Sequence, residues 1–177
     1  MKPRPALPAL AWLSALAFVL STGCTRVPPY RQAVEAESPI RFSQWRAHLY
    51  PELTPEEWRW FDLSMQEFKF QVMLAGKVSG SEAIDAAVRE KVHGRALADV
   101  VREGLQAHHV RRTAERDELE AALKINASRK IRPTDTDMLR DMAAHQEILR
   151  RKLAKLNEEL AALDVARAQF EAKAKGS

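Results

Sequence analysis

The chain has 177 residues, 46% of them hydrophobic and 29% charged, a balance that suits one folded domain with appendages. Only six glycines occur, while Ala, Glu, Leu, Arg and Lys fill the second half, so helices are expected and strands are not. The net charge of +4 overstates the basic character, because Lys2 and Arg4 are the only charged residues before Cys24, after which 26 basic side chains face 24 acidic ones. That near balance, without a basic face, excludes nucleic acid as a partner.

Residues 1 to 5 (MKPRP) carry two positive charges, residues 6 to 20 (ALPALAWLSALAFVL) carry none, and Ser21, Thr22 and Gly23 lead to Cys24, the single cysteine of the chain. This is the layout of a secretory signal. As a membrane span the apolar run is short against the roughly 20 residues needed to cross the hydrocarbon core, and Pro8 interrupts it. The stretch Leu20-Ser21-Thr22-Gly23-Cys24 resembles the lipobox of bacterial lipoproteins, with Ser21 standing where that pattern usually has Leu. The resemblance implies cleavage between Gly23 and Cys24, and lipid attachment at Cys24 through acyl chains of the palmitate kind. Two or more such chains anchor a protein stably, whereas one does not. Thr25 follows the cysteine where an Asp would favour inner-membrane retention, so the resemblance further implies the outer membrane, with the protein facing the periplasm. A lone cysteine fits this address, because an exported chain with a spare thiol risks unwanted disulfides.

Residues 24 to 40 contain Pro28, Pro29 and Pro39 and no helical apolar period, which predicts an extended tether able to reach about 50 Å. A short helix is predicted over residues 41 to 50, where Phe42, Trp45 and Leu49 recur at helical spacing before Pro51. Thr54, Pro55 and Glu57 form a capping box that opens a helix running to about Ala75. It carries one apolar stripe of Trp58, Phe61, Met65, Phe68 and Val72. A second holds Trp60, Leu63, Phe70 and Leu74 and is interrupted by Glu67. A helix apolar on two sides is either central to a core or offers one side to a partner. The second stripe is thus a candidate partner-binding face, and if it is core then Glu67 needs a partner or a path to water.

Ser79 and Glu82 read as a capping box for a helix ending near His93, with Gly94 at the left-handed position after it. Another helix is expected from about Arg95 to Ser128, weakened at Gly104. After the break at "RKIRPT", Thr134 reads as the cap of the last helix, which holds a heptad seam. Leu139, Gln146, Leu153, Leu160 and Arg167 fall at a, and Met142, Leu149, Leu156, Leu163 and Phe170 at d. The fold expected is therefore all-α, a helical bundle with a long antiparallel coiled-coil-like hairpin at the C-terminus. In chain order this makes a signal peptide (1–23), lipidated cysteine and tether (24–40), a core of short helices (41–94) and the hairpin (95–177). The seam also makes homo-oligomer formation an expectation.

Chemistry is sparse. Glu90 and His93 form one Glu-x-x-His, where a di-iron bundle needs two such pairs and two further Glu residues, and His108 with His109 diverge on a helix. No nucleophile elbow, phosphate loop or zinc motif occurs. The expectation is a lipid-anchored, periplasm-facing helical interaction or scaffold protein, bound to the membrane through its acyl chains and to a protein partner, without catalysis, metal or cofactor. An alternative comes from Leu53 to Glu57 (LTPEE), which resembles the Leu-Thr-x-x-Gln motif of Spy-like periplasmic holding chaperones, with Glu57 in place of Gln.

Overall fold

The computed structural model describes residues 27–130, 132 and 134–176; Gly23 and Cys24 lie outside them. Among the described residues the chain is all-α, with five helices and no strand. They are α1 (Pro39–Leu49), α2 (Pro55–Ala75), α3 (Ser81–Val92), α4 (Leu97–Ser128) and α5 (Thr136–Gly176). No described helix is long and apolar enough to cross a membrane.

Local signals explain most boundaries. Ser38 caps α1, its Oγ accepting from the Arg41 N–H at 3.2 Å with Pro39 at the first helical position, so α1 starts two residues before its expected start. The α2 capping box is present in full, and Gly76 ends that helix at φ 61°, a conformation that disfavours side chains. Ser79 does not cap α3, which begins at Ser81 after Gly80 at φ 88°. The last helix likewise begins after Asp135, whose carbonyl accepts from the Leu139 N–H, so Thr134 lies in the turn instead of at the cap.

The expected free tether is corrected by the fold. From Tyr30 onward the segment is docked: Tyr30, Val34 and Ala36 are buried. Residues 32–34 run antiparallel to residues 94–97, with Val34 N–H donating to Arg95 O at 2.8 Å and Gly94 N–H to Val34 O at 2.9 Å. Leu97 N–H donates to Gln32 O at 2.9 Å, which satisfies a first-turn amide of α4 that has no partner inside its own helix. The N-terminal segment therefore does for α4 what a side-chain cap does for α2.

Helices α2 and α4 lie side by side and run the same way, Ser64 facing Gly104 and Glu67 facing His108 and Arg111. At the crossing a Cβ on Gly104 would lie 2.2 Å from Ser64 Cβ, so the glycine that weakens α4 as an isolated helix is what lets the two backbones approach. The Ser64 hydroxyl donates to the Trp60 carbonyl at 2.8 Å and lies 3.2 Å from that of Val101. Helix α5 returns antiparallel to α4: Asp164 pairs with His109 and Glu171 with Arg102, while Glu159 meets Arg112 further along. This is the expected hairpin.

Its lower part belongs to the main core, to which α5 contributes Leu163 and Phe170. Helix α2 stops at Ala75, and past that level α4 and α5 continue alone for about 20 Å. On this arm Leu149 and Leu156 are buried against α4 outside the main core, as is Leu160 below the arm, and Leu139, Met142 and Leu153 are half-buried. The seam predicted from the heptad is thus filled within one chain by the α4 partner.

Candidate functional site

Among the described residues no group of three or more His, Cys, Asp or Glu side chains is placed to hold a metal ion. The histidines are dispersed. His93 Nδ1 accepts from the Ala36 N–H at 3.1 Å, His109 Nε2 meets Asp164 at 3.2 Å, and His48 lies exposed, 3.9 Å from Glu52. Glu90 and His93 sit at the end of α3, and among the described residues no metal-holding group of acids or histidines gathers around them.

Two buried carboxylates carry the internal electrostatics. At the base of the bundle the Tyr30 hydroxyl donates to Glu57 Oε1 at 2.5 Å, Thr54 N–H and Oγ1 donate to Oε2 at 2.6 and 2.7 Å, and Lys173 Nζ lies 3.2 Å from Oε1. Burial pushes the Glu57 carboxyl up, but these bonds outweigh it and hold the group at about 2. Burial, and then the bond and charge of Glu57, push the Tyr30 phenol well above its ordinary range. The knot joins the start of the described chain, the start of α2 and the end of α5. Phe170 packs edge-on to Tyr30 at 5.6 Å and to Trp60 at 6.0 Å beside it. Leu53 to Glu57, which resembled the chaperone motif, serve this cap and knot.

The second carboxylate resolves the two-stripe question. Glu67 is buried, and it accepts from Arg111 Nε at 3.0 Å and faces His108 Nδ1 at 3.0 Å, both on α4. The partner that a core position demanded is supplied by the neighbouring helix. The candidate face is accordingly divided. Trp60 is 5% exposed and Leu63 packs on the core, whereas Phe70 is 38% and Leu74 72% exposed. Trp60 is thus a core residue, and Leu63 is partly buried against the core. Phe70 keeps one ring face under the Arg111 guanidinium at 4.7 Å.

The tip of the arm holds a cleft of about 500 Å³ that the sequence reading passed over as a break between helices. Arg129 and Lys130 edge it, Met138 and Met142 line it from α5, and Asn126 closes it from α4. Ile125 is exposed, and its neighbour Asn126 points inward instead. An inward Asn leaves no mark in an apolar pattern. The one available signal was the cation run at Arg129, Lys130 and Arg132. No protein family matches this chain, and neither a curated protein nor a solved structure does.

Proposed function

We propose that the chain is a lipid-anchored, periplasm-facing interaction protein of the bacterial envelope that presents a helical arm to a protein partner and performs no catalysis itself. The observation that carries this reading is the placement of the two ends of the molecule. The chain joins the body at the base, where Tyr30 meets Glu57 and Phe170, and α5 runs from Phe170 to Thr136 at the far end of the arm, about 50 Å away. Five residues separate Cys24 from Tyr30, a reach of about 20 Å at most. An acylated Cys24 would hold the base against the bilayer and direct the arm away from it. The charged and apolar organisation of residues 1–24 supports that anchor.

The test is fractionation of cells making the wild-type chain and Cys24→Ala. The expected result is wild-type protein in the outer-membrane fraction after a high-salt wash, labelled by radioactive palmitate. Cys24→Ala would be unlabelled and absent from that fraction. Labelled and unlabelled chains fractionating alike would overturn the anchor, and an arm tip inaccessible to a thiol reagent at Arg132→Cys in the periplasm would overturn the orientation.

A further inference from the structure

We infer that the cleft at the tip of the α4–α5 arm docks an acidic, amphipathic segment of another protein. The inference rests on reading the arm as an interaction element and names what it binds. Two independent features meet there. Met138, 57% exposed, and Met142 lie one turn apart on α5 and give the cleft an adaptable apolar wall.

Asn126, 7% exposed, borders the cleft from α4. Finally, Arg129 and Lys130 on the rim, with Lys124 and Arg132 beside them in the chain, have no carboxylate within ion-pair distance among the described residues. The nearby acids are mostly occupied: Arg140 holds Asp137 at 3.1 Å and Asp141 at 3.9 Å.

A segment that fits must bring carboxylates for the rim and apolar side chains for the methionines. A uniform polyanion fits less well, because it offers nothing to the methionines and meets Asp141 on the same wall.

The experiment titrates full-length protein into a fluorescein-labelled synthetic helix bearing Glu along one face and Leu along the other, read by anisotropy. The expected result is saturable binding that weakens with salt and falls about tenfold or more with Arg129→Glu combined with Lys130→Glu. Met138→Gln weakens it at unchanged charge, and Lys152→Glu, farther down the arm, leaves it as it was. These positions are solvent-facing, and circular dichroism confirms that each variant keeps its helix content. Absence of saturable binding, equal binding of polyglutamate, or equal loss with Lys152→Glu would overturn the inference. The titration is run on the lipidated chain and on Cys24→Ser, with equal affinity expected. A failed anchor then appears only in fractionation and a failed cleft only in the titration.

Discussion

The 2.5 Å hydrogen bond from the Tyr30 hydroxyl to Glu57 ties the beginning of the described chain to the start of α2. Through Lys173 the same carboxylate also holds the end of α5. Elements far apart in sequence thus converge on one buried negative charge.

The folded-state value of Glu57, about 2, lies below its ordinary 4.5. A depressed carboxyl contributes stability that is fully present above its unfolded value and is lost as the pH falls through the folded one. Glu57→Gln should therefore lower stability by up to about 3 kcal/mol between pH 5 and 8, with the difference from wild type shrinking between about pH 4.5 and 2. Urea unfolding across that range measures it. A difference independent of pH would show that the knot is not electrostatic.

Removing only the phenol hydroxyl, Tyr30→Phe, should cost about 1 to 2 kcal/mol, since it leaves a buried carboxylate short of one donor. Amide exchange should quicken at Val34 and Leu97, whose N–H groups are held where the docked segment pairs with residues 94–97. Unchanged exchange there would mean that the segment stays docked without Tyr30.

Gly104→Ala sets two effects against each other. An isolated helix gains about 1 kcal/mol from alanine over glycine. Here the new Cβ would fall 2.5 Å from Ser64 Cα, a backbone atom that cannot rotate away. Overpacking should win, with a net loss of about 1 to 3 kcal/mol in thermal or urea unfolding. A stabilised variant would show that the crossing of α2 and α4 is looser than drawn.

Glu67 and Arg111 should respond asymmetrically. Arg111→Met leaves the buried carboxylate with only His108 beside it and should cost about 3 to 5 kcal/mol, while adding Glu67→Leu to it should recover most of the loss. Unfolding of the two single variants and the double variant decides this. Additive losses would contradict a coupled pair.

Leu156→Ala should act locally, because Leu156 is buried on the arm outside the main core. A loss of about 2 to 4 kcal/mol is expected in the protection of arm amides. The emission of Trp45, Trp58 and Trp60, all buried in the body, should change little. Loss of both together would make arm and body one cooperative unit.

The sequence by itself determined the helices, the α2 cap, the left-handed Gly94 and the heptad seam, because each depends on residues within one or two turns of each other. Leu149, Leu156, Leu163 and Phe170 recur at one heptad position whatever lies opposite them. Only tertiary structure decided where each face went. Trp60 and Phe70 belong to one stripe, yet Phe170 covers the first while the second is left at the edge, since what covers a residue is set by chain more than a hundred positions away. The docking of Tyr30 to Ala36 was hidden for the same reason: main-chain pairing with residues 94–97 carries no side-chain period. Asn126 was equally invisible, because a polar residue turned inward is distinguished from one facing water only by the packing of α5 against it.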